Sequence, residues 1–164
     1  ILGDKIPKPE EQELYREILF KIPGYLTRPP ENGYFFGKDA FDQWSAVLRN
    51  DSYWPDAAAA EANCWDKHCC AYCSLCTSLG VGEGGIMTLI EKMAQTLPDV
   101  PQAAAIVPLF AKLQALNQAI WDTQGGFMPP FDQLYKHEYR ENLAGILDEM
   151  GLICSQIAAL FSSI

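Results

Sequence analysis

The sequence predicts an all-α fold, an irregular bundle of about six helices in a single domain. Apolar residues recur at three- and four-residue spacing along most of the chain, which is the period of one face of an α-helix. Short links rich in glycine and proline separate these segments, and the alternating pattern of a half-buried strand is almost absent. With 164 residues the chain has the length of one ordinary domain, which buries about two-thirds of its unfolded surface.

The N-terminal part consists of a short lead-in segment and the first helix. Residues 1–9 are predicted to be a lead-in segment, and residues 10–164 the helical domain. Acidic residues near the start and apolar residues at helical spacing predict a helix over 10–22. The pair Pro23-Gly24 is expected to end this helix, and the aromatic run at 34–37 has the composition of a short strand.

Two helices are predicted in the next part of the chain. Apolar residues at helical spacing predict one over 38–49. An alanine-rich stretch predicts the second over 57–79. Asp56 is a suitable N-cap for this second helix, and Gly80 is suited to the left-handed position after its end.

The C-terminal part contains the remaining helices. We predict a helix over 85–97, a helix that Asp99 caps and that extends to about 123, and a final helix over 138–162. A bend or break is expected at Pro108, because proline interrupts the helical hydrogen bonds. Phe131–Tyr135 has the length of a single turn.

Composition and charge restrict the partners. The chain is 49% hydrophobic and 20% charged, which is typical of a globular protein. Its formal net charge is −9, so binding to nucleic acid or to an anionic membrane surface is disfavoured. No uninterrupted apolar run approaches the ~20 residues of a membrane span. Cysteines that are adjacent on one segment make few useful cross-links, so we expect a reducing, cytoplasmic location.

A dense group of cysteines lies on the predicted helix 57–79. Five of the six cysteines and one of the two histidines fall within residues 64–76. Thiolate and imidazole are the ligands that zinc prefers, so one hypothesis is a zinc site. Its candidate ligands are Cys64, His68, Cys69, Cys73 and Cys76.

Two observations favour core packing for the same residues. A structural zinc site normally takes its ligands from two separated pairs, and the sequence has no second pair. Cysteine also behaves as a small and often buried hydrophobic residue. In this interpretation no cofactor is required, and His68 is a hydrogen-bonded structural histidine. A redox or nucleophilic thiol is the third interpretation, and it requires a lowered thiol pKa.

Aromatic residues at helix ends and in loops suggest a second type of site. They have the composition of an apolar pocket with a polar rim, as in small-molecule sites. The alternative is that they pack loops onto the helical core. The candidate ligand-binding residues are Trp44, Trp54, Trp65, His68, Tyr72 and Trp121.

One motif resembles a known group of bacterial proteins. The motif is Tyr34-Phe35-Phe36-Gly37-x-x-Ala40-Phe41-x-x-Trp44, which is followed by Trp54 and by a helix that carries His68-Cys69. It resembles the C-terminal helical region of C39-peptidase-like and butirosin-biosynthesis acyltransferase-like proteins, over roughly residues 10–160. The resemblance implies that Gly37 allows a close approach at a helix start and that Trp44 fills the core.

The resemblance also implies where catalysis would reside. The catalytic Cys and His of those proteins belong to a papain-like N-terminal part that nothing in this chain matches, so no catalytic residue is assigned. The sequence therefore predicts a non-catalytic helical module that covers or completes a site on a papain-like part, or binds another protein partner. The alternatives are a small-molecule-binding domain and a metal or thiol site.

Overall fold

The computed structural model describes residues 8–80, 85–128 and 131–162, and these residues form an all-α bundle, as predicted. A 3-10 turn covers Asp51–Tyr53, and a π turn covers Trp65–Cys69. The helices are α1 (Lys8–Leu26), α2 (Gly37–Arg49), α3 (Ala57–Cys64), α4 (Cys70–Leu79), α5 (Ile86–Thr96), α6 (Pro101–Ala105), α7 (Val107–Gln124), α8 (Phe131–Leu134) and α9 (His137–Ala159).

The packing of α2 along α9 organises the bundle. Gly151 of α9 lies against α2, where an added Cβ would be 3.4 Å from Asp42 Oδ1 and 3.5 Å from Phe41 Cβ. At the edge of this interface the Arg49 guanidinium donates to Asp148 at 2.8 Å and to Glu141 at 3.1 Å. The remaining long helices contribute to one continuous apolar core.

The predicted N-caps had different outcomes. Asp56 caps α3, because its carboxylate accepts a hydrogen bond from the Ala59 amide at 2.8 Å. Asp99 was expected to cap the predicted helix that extends to about 123, and that prediction is wrong. Val100 occupies the cap position, and Asp99 instead accepts a hydrogen bond from Arg16 of α1 at 2.8 Å.

Proline has different effects in α1 and in the first turn of α7. The prediction that Pro23 ends the first helix is wrong, because α1 continues to Leu26. The carbonyl of Pro23 accepts a hydrogen bond from the Thr27 amide at 2.9 Å, so the proline lies one turn before the helix end. The break expected near Pro108 is confirmed, since α6 and α7 are separated at Ile106.

The aromatic run at 34–37 does not form a strand. Tyr34 instead makes an isolated bridge with Glu31, in which their amides and carbonyls pair at 2.9 and 3.0 Å. The bridge closes a tight turn before α2. The short helix expected at Phe131–Tyr135 is present as α8.

Parts of three predictions fall outside the described residues. Residues 1–7 of the predicted lead-in segment are not among the described residues, and Lys8 already belongs to α1. Residues 81–84 of the glycine-rich link and residues 129–130 of the loop before α8 also lie outside the described residues.

One stretch of the described chain meets the length and composition of a membrane-spanning helix. It is Pro101–Gln124, with a mean hydropathy of 1.2. Core helices of soluble proteins have the same length and apolar composition, so these two properties alone do not identify a membrane span. The absence of a membrane partner stays a prediction.

Candidate functional site

The π turn places His68 in the interior, between α2 and α7. In this turn the Cys70 amide donates to the carbonyl of Trp65, five residues earlier. Such an insertion in a helix is often found at functional sites. The sequence predicted an uninterrupted helix here, because the apolar spacing on either side fits an α-helix.

Both ring nitrogens of His68 have hydrogen-bond partners. Trp44 Nε1 donates to His68 Nδ1 at 3.1 Å, and His68 Nε2 lies 2.8 Å from Gln124 Oε1. Because an indole nitrogen only donates, Nδ1 must be the acceptor and Nε2 must carry the proton. Burial lowers the pKa of His68 from 6.5 to about 4, so this histidine is neutral at pH 7.

An aromatic row runs from this histidine to the surface. The Tyr72 ring stacks on His68 with centroids 6.0 Å apart, and its hydroxyl donates to the Gly126 carbonyl at 2.9 Å. The Phe127 ring contacts Tyr72 and Trp121, with centroid distances of 6.4 and 6.5 Å. The row therefore connects a buried imidazole to an exposed phenylalanine.

The end of α7 fixes the position of Phe127. The Gly125 amide donates to the Asp122 carbonyl at 3.2 Å, and the Gly126 amide donates to the Trp121 carbonyl at 3.0 Å. With Gly125 in the left-handed region at φ 74°, these bonds form a Schellman motif. Phe127 follows directly, and 47% of its surface is exposed.

The structure brings together four of the six residues named for a ligand pocket. Trp44, His68 and Tyr72 are in direct contact, and Trp121 joins them through Phe127. Trp54 lies elsewhere in the core and donates to the Val47 carbonyl at 3.0 Å. Trp65 is on the surface, with 56% of its area exposed.

Sequence reasoning missed Gln124, which completes this cluster. The residue is only 4% exposed, and its Oε1 accepts a hydrogen bond from His68 Nε2. Its amide nitrogen Nε2 is buried and has no hydrogen-bond partner within the described parts of the chain. A glutamine in the last turn of a helix has no distinctive pattern in the sequence.

The cysteines are distributed between the core and the surface. Cys64, Cys69 and Cys76 are buried, Cys73 is half-buried, and Cys70 is exposed. The sulfur atoms of Cys64 and Cys69 are 3.1 Å apart. Burial raises the pKa values of Cys64, Cys69 and Cys76, which keeps these thiols protonated at neutral pH.

The five residues named as zinc ligands do not converge. Cys76 lies 3.9 Å from Asn117 Oδ1, and both nitrogens of His68 are engaged with other side chains. Across residues 8–80, 85–128 and 131–162, no three His, Cys, Asp or Glu side chains are grouped so that they could hold a metal ion. The helical spacing of these residues therefore does not bring their side chains together as metal ligands.

A separate cleft lies between the end of α1, the start of α2 and α9. Its volume is about 240 Å³. Lys38 and Asp39 contribute charged side chains to its wall, and Cys154 and Ser155 contribute from α9. Burial raises the pKa of Cys154 to about 11, so this thiol too is protonated at neutral pH.

Comparisons with models of protein families, with curated proteins and with solved structures gave no match.

Proposed function

We propose that this chain is a non-catalytic helical module that binds a protein partner in a reducing, cytoplasmic environment. The preferred partner is a papain-like part, whose active site the module covers or completes. The observation that carries the proposal is a difference in burial. The histidine is enclosed in the core, whereas the apolar side chains at the surface end of the aromatic row are exposed. His68 is neutral and hydrogen-bonded on both nitrogens, whereas Phe127 and Met128 extend to the surface.

The partner surface consists of Phe127 and Met128. Their exposed fractions are 47% and 56%. Aromatic and methionine side chains are enriched at protein interfaces, and a side chain that is already held in place loses little entropy on binding. The Schellman motif and the Tyr72–Gly126 hydrogen bond hold Phe127 in this way.

The test measures binding to a papain-like protein encoded with this chain, by isothermal titration calorimetry. We expect Phe127→Ser to weaken binding by about thirtyfold or more, since a central aromatic contact contributes about 2 kcal/mol or more. Tyr34→Ser is the matched control, because Tyr34 is an exposed aromatic residue outside the row. Far-ultraviolet circular dichroism checks that both variants keep their helical content.

Two outcomes would contradict the proposal. The first is turnover of peptide, ester or thioester substrates by the isolated chain, with loss of that turnover in a Cys or His variant. The second is binding that Phe127→Ser and Tyr34→Ser weaken equally. In that case the surface at Phe127 and Met128 does not contact the partner.

A small-molecule-binding domain is the second candidate. The observation that favours it is the Gln124 amide nitrogen, which is buried next to His68 without a hydrogen-bond acceptor in the described structure. A ligand with a carbonyl or carboxylate oxygen would supply one. We expect such a ligand to change the fluorescence of the wild type and of Trp54→Phe, and to change that of Trp44→Phe less, because Trp44 contacts His68 directly. A broad metabolite panel that leaves the emission unchanged would count against this candidate.

A further inference from the structure

The π turn brings two cysteine thiols together that a regular helix would separate. In an α-helix, positions five residues apart point about 140° away from each other. The π turn contains more residues per turn, so Cys64 and Cys69 lie on the same side of the chain. Their sulfur atoms are 3.1 Å apart, and both side chains are buried.

The other cysteines of the segment are placed differently. Cys76 lies near Asn117 Oδ1, Cys73 is half-buried, and Cys70 is exposed. A disulfide has an S–S distance of about 2.05 Å. The sulfur atoms of Cys64 and Cys69 therefore need to move together by about 1 Å.

We propose that Cys64 and Cys69 are a redox-sensitive dithiol that hydrogen peroxide closes to a disulfide across the π turn. This site is independent of the partner binding proposed above. Peroxide is an oxidant small enough to reach a buried thiol when the helix opens locally.

The reaction has two steps. When the helix opens locally and water reaches the pair, the first thiol loses its proton, and the thiolate attacks one peroxide oxygen. The O–O bond breaks, a sulfenic acid forms, and the leaving hydroxide takes a proton to become water. The second thiol then attacks the sulfenic sulfur, and the S–O bond breaks as a second water leaves. Overall two S–H bonds are replaced by one S–S bond, and two electrons pass to the peroxide.

The environment determines when the reaction occurs. In a reducing cytoplasm both thiols stay reduced, and burial protects them from brief exposure to oxidants. We therefore expect the cross-link to form more slowly than the oxidation of the exposed Cys70. The disulfide would tie together the two ends of the turn that holds His68 against Trp44 and Gln124.

Peptide mapping of the full chain after peroxide treatment tests the proposal. Remaining thiols are alkylated in denaturant, and the protein is digested with trypsin without a reducing agent. Cleavage at Lys67 separates fragment 50–67, whose only cysteine is Cys64, from fragment 68–92. We expect the two fragments to remain linked, with a combined mass lower by two hydrogen atoms, and fragmentation of the linked pair to locate the bond at Cys69.

Two variants assign the partner within fragment 68–92. Cys69→Ser should release fragment 50–67 with an alkylated Cys64, whereas Cys70→Ser should keep the link. The proposal is overturned if the wild-type bond maps to Cys70, Cys73 or Cys76, or if Cys64 is still fully alkylated after peroxide treatment continued well beyond the complete oxidation of Cys70. The fragmentation spectrum of the wild type decides the assignment even if Cys69→Ser does not fold.

Discussion

His68 is a buried histidine that is kept neutral by its surroundings. The pKa of a histidine in the unfolded chain is about 6.5, and burial lowers the pKa of His68 to about 4. Between these values the unfolded chain binds a proton that the folded protein does not. The free energy of unfolding should therefore fall as the pH drops from 6.5 towards 4, by about 3 kcal/mol from this residue. Urea unfolding at a series of pH values measures this dependence.

The contribution of His68 is separated from other groups by substitution. His68→Gln should have a flatter pH dependence of the free energy of unfolding in this window than the wild type. Asp148 contributes at lower pH, because Arg49 holds the pKa of its carboxyl below 3.8. Equal slopes for the wild type and His68→Gln would show that another group is responsible.

The sequence identified part of the cluster around His68. Aromatic side chains are typical of apolar ligand pockets. The sequence therefore pointed to Trp44 and Tyr72, and to His68 as a polar group beside them. The sequence did not reveal which of the other aromatic residues join them. Trp54 and Trp65 are of the same residue type as Trp44, but Trp54 packs elsewhere in the core and Trp65 lies on the surface. Gln124 was missed because its role depends on a helix that is distant in sequence.

Among the connections between helices, the contact between α1 and α2 depends on Gly37. Its φ is +51°, and an added Cβ would be 1.9 Å from the Leu26 carbonyl oxygen. We expect Gly37→Ala to lower the free energy of unfolding by about 3 kcal/mol, from the left-handed backbone and from the displacement of α1. Chemical denaturation measures the loss.

Gly33 provides a matched control for this prediction. It also has a positive φ, +81°, but an added Cβ would meet nothing within 4 Å. Gly33→Ala should therefore lose only about 1 kcal/mol, from the backbone conformation. If both variants lose the same free energy, the close approach of Leu26 contributes nothing.

The position of α8 depends on Arg140, a buried side chain at the start of α9. Arg140 donates to the Leu48 carbonyl at 2.7 Å and to the Leu134 carbonyl at 3.0 Å, and it pairs with Asp51. It therefore satisfies the last carbonyls of α2 and α8. Arg140→Met should destabilise the protein by roughly 1–3 kcal/mol for each carbonyl left without a donor. Hydrogen exchange should accelerate in α8 before the rest of the protein.

Asp51→Ala separates the ion pair of Arg140 from its bonds to the carbonyls. Asp51 is exposed, but its partner Arg140 is buried, so the loss of Asp51 leaves the guanidinium charge with carbonyl acceptors and should lower the free energy of unfolding by about 1–3 kcal/mol. A larger effect for Asp51→Ala than for Arg140→Met would mean that the ion pair, and not the capping of α2 and α8, is the main contribution.

The helices themselves were largely predictable, but their interruptions were not. Apolar spacing located α2, α5 and α9, because each has one face in the core. The sequence did not predict the π turn. This turn shifts the buried face of its helix by one residue, but the types of residue along the segment do not change. The extension of α1 past Pro23 was missed because a proline in the last turn of a helix removes one hydrogen bond without ending it.

Over the whole molecule, the net charge of −9 opposes compaction through long-range repulsion. Most ion pairs of the described residues are exposed on both partners, as in Arg16–Asp99 and Lys112–Glu149. Exposed pairs contribute about 0.2–1 kcal/mol or less each. Repulsion between the excess carboxylates should therefore outweigh these local attractions.

Added salt distinguishes the two effects. Raising sodium chloride from about 0.01 M to about 0.15 M shortens the Debye length from about 30 Å to about 8 Å. We expect the free energy of unfolding at pH 7 to rise by an amount on the order of 1 kcal/mol, because the long-range repulsion is screened first. Urea unfolding at each salt concentration measures the change, and potassium chloride should act alike because the effect depends on ionic strength. If stability falls instead, the surface ion pairs dominate and the negative charges are too far apart to oppose folding.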